Sequence, residues 1–212
     1  WWWRGAGRGL WRGRGRGDRA VARGVAPVDV GASIENHTRP LVIALRNLGL
    51  PIVCAVNGVA AGAGVNIALA CDLVIAARSA SFIQAFCKIG LVPDSGGTFF
   101  LPRLVGTARA MGLALLGDKL TAEQAAQWGL IWKCVDDDQL ASTVDALLER
   151  LAHAPTGGLA AIKRALHAAA DNTLEQQLAL ERDVQRTLGQ SADYREGVAA
   201  FLAKRAPEFT GR

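Results

Sequence analysis

The sequence offers little material for metal, disulfide or histidine chemistry. Its 212 residues include four cysteines and three histidines, and they contain no CxxC pair. The cysteines lie far apart in apolar stretches, which is typical of buried free thiols and excludes the usual ligand spacings of a zinc site or a disulfide framework. They are Cys54, Cys71, Cys87 and Cys134. The histidines match no catalytic pattern, so we expect no bound metal.

Long apolar runs are also missing. No run approaches the ~20 residues that cross a bilayer. The N-terminal segment WWWRGAGRGLWRGRGRG lacks the apolar core of a signal peptide. These absences predict a cytoplasmic protein with no membrane partner. Half of the residues are hydrophobic, which is enough for one sizeable core.

The surplus of positive charge is confined to the first residues of the sequence. The formal net charge is +5, but residues 1–24 hold seven arginines and one acid, so the remainder is close to neutral. A Gly/Arg-rich segment such as Arg8 to Arg19 is a candidate arm for nucleic acid, with salt-dependent binding. The neutral remainder gives no case for that function. We expect no nucleic-acid partner.

Hydrophobic periodicity predicts alternating strands and helices after a lead, residues 1–31, that shows neither period. Strands are predicted at 51–56, 73–77, 81–84 and 131–135, and the first is a continuous apolar run typical of a strand buried on both faces. Helices are predicted at 39–48, 63–71, 97–104, 108–116, 122–127, 140–152, 157–170, 173–188 and 191–204. Thr121 is a good N-cap for the helix that follows it.

The run from Pro51 to Thr98 carries the chemistry. An apolar strand leads into a small-residue turn, Gly58 to Gly64, and a helix opens directly at Ala63 or Gly64. The first N–H groups of a helix have no partner within it and attract negative charge. A lone acid, Asp94, follows in the tight turn VPDSGG. Donors for an oxyanion together with one carboxylate indicate proton transfer next to a carbonyl group.

Several motifs in this run and beyond it resemble the crotonase (enoyl-CoA hydratase/isomerase) superfamily. They are PIVCAVNGVAAGAGVNIALACD, GLVPDSGGT, LPRLVG, LTAEQAAQWGLIWKCVDD and the closing EGVAAFLAKRAPEFTGR. The resemblance covers about residues 40–212, and the branch most similar is that of the 2-(1,2-epoxy-1,2-dihydrophenyl)acetyl-CoA isomerases. It implies an α/β fold, a ββα spiral followed by C-terminal helices that form trimers or dimers of trimers.

The resemblance also implies a division of the chain and roles for individual residues. Residues 1–31 form an aberrant Gly/Arg-rich lead, 32–136 a partial spiral core and 137–212 the helical region. The substrate is an acyl-CoA thioester, and no further cofactor is implied. Asp94 is the acid/base. The oxyanion donors are the amides of Ala63, Gly64 and Arg14, and the residues that contact substrate or coenzyme A are Gly62, Asn66, Phe201 and Lys204.

The resemblance separates isomerases from hydratases by their acids. Hydratases of this superfamily use two glutamates, whose positions here carry Asn66 and Phe86, whereas isomerases place a carboxylate on the turn that holds Asp94. The resemblance therefore favours an isomerase that opens a ring epoxide to an oxepin or shifts a double bond. A general 3,2-enoyl-CoA isomerase or a hydratase is the close alternative, and an inactive protein of the same fold is the other.

The lead departs from the superfamily pattern. The resemblance implies further strands before it, and Leu10 to Arg16 replaces the segment that supplies the second oxyanion amide. Arg14 takes that position, while Gly15 stands where an aspartate is expected. An altered reading frame upstream of about Val25 is one interpretation. We therefore expect weak or no turnover from the chain as written.

Overall fold

The computed structural model describes residues 2–4, 9–10 and 29–212. Its contacts separate two compact units. The larger holds residues 52–144 together with the described residues before 47, and the smaller holds 47–51 together with 145–212. The division at residues 31 and 136 that the resemblance implies stays a prediction.

Two four-stranded sheets form the larger unit. The strands are β1 (Trp2–Arg4), β2 (Gly9–Leu10), β3 (Val53–Val56), β4 (Val59–Ala61), β5 (Leu73–Ala77), β6 (Ser81–Ile83), β7 (Lys119–Thr121) and β8 (Lys133–Val135). One sheet has the order β1-β3-β5-β8 and is parallel throughout. The other has the order β2-β4-β6-β7, and its last pair is antiparallel. From β1 to β6 successive strands alternate between the sheets, as a ββα spiral requires.

The helices from residue 39 onward follow the predicted order, whereas α1 was not predicted. They are α1 (Val30–Ser33), α2 (Arg39–Asn47), α3 (Ala63–Leu69), α4 (Gly97–Leu116), α5 (Ala122–Gln127), α6 (Leu140–Ala152), α7 (Thr156–Ala168), α8 (Leu174–Leu188) and α9 (Ala192–Ala203). A π-helical turn, Ile34–Thr38, joins α1 to α2, and short 3-10 turns lie at Ala85–Ile89 and Asp137–Gln139.

Strand β3 is the centre of the core. All four of its residues are buried, and its neighbours β1 and β5 pair with it on both sides. Val53, for example, pairs with Leu73 of β5. A strand covered on both faces and both edges has no polar side, which explains why its sequence is a continuous apolar run.

Four strands were not predicted from the sequence. Strands β1 and β2 lie in the lead, and β4 lies inside the predicted small-residue turn. Strand β7 directly precedes the predicted N-cap helix and pairs with β6 through Leu120 and Phe82. Each of these strands is two or three residues long, and pairing with distant neighbours defines it. A segment of that length shows no readable period.

Helix α4 contains the break that the sequence predicts between 104 and 108. Gly106 has φ 76° and ψ 161°, which is not helical, and two helical segments meet there. By length and composition alone this 20-residue helix could cross a membrane. It is not a continuous apolar run, because it includes Arg103 and Arg109.

Thr121 caps helix α5, as predicted. Its hydroxyl oxygen accepts from the N–H of Gln124 at 3.2 Å, and the Gln124 side chain reaches back to the Thr121 N–H, which completes a capping box. Thr173 and Gln176 repeat this arrangement at the start of α8. These caps fix the beginnings of both helices by local chemistry.

In the smaller unit, carboxylates of α9 hold the C-terminal tail. Asp193 accepts from the N–H groups of Thr210 at 2.7 Å and Gly211 at 2.9 Å. Glu196 accepts from Arg205 at 2.6 and 2.9 Å and from the N–H of Glu208 at 2.8 Å. Hydrogen bonds from Arg205 first, and from Glu208 second, lower the pKa of Glu196 to about 2.

This lowered pKa predicts that the tail loosens in acid. A carboxylate whose pKa falls on folding stabilises the folded state above its ordinary pKa of 4.5, and that contribution is lost as the pH falls towards about 2. We expect the protection of the amides in residues 205–212, taken relative to their intrinsic exchange rates at each pH, to fall below about pH 4. Glu196→Gln should show this low protection already at pH 7, whereas the exposed control Glu181→Gln should not. Equal exchange in both variants would contradict the assignment.

Candidate active site

The junction between β4 and α3 depends on a glycine. Gly62 has φ 58° and ψ −128°, a backbone conformation that side chains disfavour. Its N–H donates to the carbonyl oxygen of Ile83 at 2.9 Å, which ties the turn to strand β6. The ring of Phe86 lies 3.6 Å from where a Cβ on Gly62 would stand. The turn therefore directs the chain from strand to helix in a confined space.

Helix α3 begins at Ala63, as predicted, and Gly64 is its second residue. The N–H of Val65 bonds back to the carbonyl of Gly62 at 3.1 Å. The N–H groups of the first two helical positions have no acceptor within the helix. Ala63 is half-buried and Gly64 is buried, so donors at this point act in surroundings of reduced polarity.

The turn that carries Asp94 has a tightly wound backbone. Ser95 has φ 52° and Gly96 has φ 86°, so two successive residues are left-handed, and Gly97 then donates its N–H to the Asp94 carbonyl at 2.9 Å. A left-handed serine is uncommon and marks local strain. Its hydroxyl donates to Oδ1 of Asp94 at 2.9 Å. Asp94 itself is half-buried, and Ser95 is buried.

Asn66 joins this turn to helix α3. Its side chain is fully buried, one turn after Ala63. Nδ2 donates to the carbonyl oxygen of Asp94 at 2.8 Å, and Oδ1 accepts from Nε2 of Gln84 at 2.7 Å. The helix that presents the amides of Ala63 and Gly64 thus also holds the segment that carries the carboxylate. The structure brings these predicted residues together, and their roles stay predictions.

Sequence reasoning missed Ser95 and Gln84. Ser95 directly follows the predicted acid, and this position next to a carboxylate could have indicated that its hydroxyl bonds to Asp94. Gln84 had no local signal, because its contact with Asn66 joins residues that lie 18 positions apart. Polar residues within apolar runs are the general indication, since buried polar groups need partners.

The other predicted site residues lie elsewhere or outside the described part. Arg14 lies outside the described residues. Phe201 and Lys204 belong to the smaller unit, where Phe201 is 82% exposed on α9 and Lys204 ends that helix with φ 52°. An exposed aromatic ring near a cation suits contact with an adenine and phosphates, but coenzyme A binding by these residues stays a prediction.

The cysteines are free thiols. Cys54 and Cys71 are buried as expected, whereas Cys87 and Cys134 are only half-buried. A hydrogen bond with Cys71 and then burial raise the pKa of Cys54 well above its ordinary value, which suppresses the thiolate. Within the part of the chain that the structure describes, no three histidine, cysteine or acidic side chains are grouped to hold a metal ion.

Known proteins are similar to this chain in sequence and in architecture. The family described as enoyl-CoA hydratase/isomerase matches residues 24–212. A 1,2-epoxyphenylacetyl-CoA isomerase from Escherichia coli (strain K12) is 59% identical over 98% of this chain and 79% of its own length. A probable enoyl-CoA hydratase from Rhodobacter capsulatus is 51% identical over 98% of this chain and 79% of its own length.

A solved structure agrees with these sequence relatives. The crystal structure of an enoyl-CoA hydratase from Polaromonas sp. JS666 superposes with a TM-score of 0.85 at 34% identity, covering 91% of this chain and 75% of that one. The ββα spiral expected from the sequence is thereby confirmed. The match extends from the strand–glycine–helix junction to the C-terminal helices, and the chain belongs to the enoyl-CoA hydratase/isomerase (crotonase) family.

Proposed function

We propose that the chain is an acyl-CoA isomerase that acts on 2-(1,2-epoxy-1,2-dihydrophenyl)acetyl-CoA or a close analogue. One observation carries the proposal: the turn that carries the half-buried acid Asp94 is hydrogen-bonded, through its main-chain carbonyl, to Asn66 of the helix whose first amides can bind a thioester oxygen. The E. coli relative that is named for this epoxide supports the choice of substrate.

The proposed reaction needs one acid/base and one oxyanion site. The thioester oxygen accepts hydrogen bonds from the Ala63 and Gly64 amides, and Asp94 removes a proton from the adjacent carbon. The resulting enolate carries its negative charge on the oxygen that the amides hold. In a 3-enoyl thioester the proton leaves carbon 2 and returns at carbon 4, so the double bond moves without net gain or loss of atoms. In the epoxide the same groups assist the ring expansion to an oxepin.

Hydration is disfavoured by the residues at the two positions that hydratases fill with glutamate. Asn66 is an amide that cannot exchange a proton at neutral pH, and both ends of its side chain are already hydrogen-bonded. Phe86 is buried against the Gly62 turn and has no group that could activate water. The hydratase-named relatives keep hydration as the alternative within the same family.

Further parts of the proposal concern partners, location and rate. An acyl-CoA is the substrate, with no cofactor beyond its coenzyme A portion, and the location is the cytoplasm. A trimer or a dimer of trimers is proposed because α7 to α9 expose large apolar side chains, as interface surfaces do. These include Leu166, Leu174, Phe201 and Leu202. Weak turnover stays a prediction, since the position of the second amide, Arg14, lies outside the described residues.

Replacing the carboxylate of Asp94 tests the acid/base role. Asp94→Asn keeps the side-chain size but cannot accept the proton, so we expect kcat for the epoxide or a 3-enoyl thioester to fall about 10²–10⁴-fold. Asp118→Asn alters an exposed acid and should keep the parent rate. Isomerisation at the parent rate in Asp94→Asn would contradict the role. Faster hydration of a 2-enoyl thioester than isomerisation would favour the alternative function.

Removing the Ala63 N–H tests the oxyanion donor. Proline is tolerated at the first position of a helix, so Ala63→Pro deletes this one donor while α3 can still form. We expect kcat to fall about 10²–10³-fold. Ala63→Ser keeps the amide and serves as the matched control, with thermal melting to confirm that both variants fold. A folded Ala63→Pro protein with an unchanged rate would show that the amide holds no charge in the transition state.

A further inference from the structure

We propose that Asn66 and Gln84 are positioning residues that fix the Asp94 turn for catalysis. This inference rests on the proposed isomerase function. It assigns to Asn66 a contact with the protein main chain in addition to the substrate role that the resemblance implies. It gives a role to Gln84, which the sequence did not single out.

The chemistry of the contacts fixes the orientation of both amides. A main-chain carbonyl only accepts hydrogen bonds, so the group that Asn66 presents to Asp94 must be its NH₂. Oδ1 of Asn66 then faces Gln84, which must present its own NH₂. Because the Asp94 carbonyl can only accept, Asn66 must donate to Asp94 and Gln84 must donate to Asn66.

Burial makes this chain of hydrogen bonds rigid. Asn66 is 0% and Gln84 3% exposed, so neither amide can exchange its partner for bulk water. Oε1 of Gln84 is buried with no hydrogen-bond partner among the described residues, which costs stability. Two apolar side chains would avoid that cost. The pair is thus better explained by placement of the turn than by stabilisation of the core.

Gly97 contributes to the same contact between Asn66 and the Asp94 turn. A Cβ at this position would overlap the Nδ2 and carboxamide carbon of Asn66, so only a glycine allows the two elements to approach this closely. The N–H of Gly97 shares the Asp94 carbonyl as its acceptor. Two donors from different elements, the Asn66 side chain and the Gly97 N–H, therefore converge on one oxygen, whose position sets that of the Asp94 side chain.

Substitutions at Asn66 give the first test. Asn66→Leu removes the donor at similar size, and we expect kcat to fall about 10–100-fold with KM for the thioester nearly unchanged, because a displacement of about 1 Å at a reacting group has effects of that size. Asn66→Asp can donate to the carbonyl only while it is protonated. Burial raises the pKa of the introduced acid, so its kcat should decline between about pH 6 and 9, unlike that of the parent.

Gly97→Ala and Gly112→Ala give a matched pair within helix α4. The first places a methyl group into the Asn66 amide, whereas the second meets nothing within 4 Å. We expect only Gly97→Ala to lower kcat at unchanged KM. Exchange of the Gly97 amide proton, which is bonded to the Asp94 carbonyl, should be faster in Asn66→Leu than in the parent, and this readout requires no turnover.

The outcomes separate the two proposals. A parent protein that hydrates a 2-enoyl thioester faster than it isomerises any thioester overturns the isomerase function, while the exchange of the Gly97 amide still decides whether Asn66 holds the turn. An active parent with Asn66→Leu at the same kcat and the same Gly97 exchange overturns the positioning role. A rise in KM alone in Asn66→Leu also overturns it, because that result would place Asn66 in substrate binding only.

Discussion

The left-handed backbone at Gly62 is the constraint on which the site depends. It lets strand β4 pass directly into helix α3, so that the amides at 63 and 64 stand at the end of a short strand. Because the helix starts there, Asn66 falls one turn later on its buried side, where it can reach the carbonyl of Asp94. A start shifted by one residue would rotate that side chain by about 100° and release the turn. One glycine thus sets the positions of the two candidate donor amides and of the turn that carries Asp94.

Different atoms of Asp94 anchor the turn and take part in the proposed chemistry. The carbonyl of Asp94, which takes no part in the proposed chemistry, receives the donors from Asn66 and Gly97. The carboxylate, to which the proposed proton transfer is assigned, accepts from the neighbouring Ser95 hydroxyl. Anchoring through the main-chain carbonyl fixes the geometry of the turn.

The sequence predicted the parts whose signals are local. The buried strands β3 and β5, the Thr121 cap, the break in α4 and the C-terminal helices follow from apolar periods, capping residues and glycine. The short strands β4 and β7 could not be read, because pairing with residues far along the chain defines them. The candidate acid and amides were found through the motif around them. Gln84 was not, since its importance lies only in a contact across the fold.

Ser95 adds a property that the other contacts lack. Its hydroxyl and the Asp94 carboxylate are chain neighbours, so donor and acceptor travel together whenever this segment moves. The bond from Asn66, in contrast, crosses from helix α3 to the turn. The polar neighbour of the acid is therefore supplied by the sequence of the turn itself, whereas its attachment to the rest of the fold is supplied by a residue far along the chain.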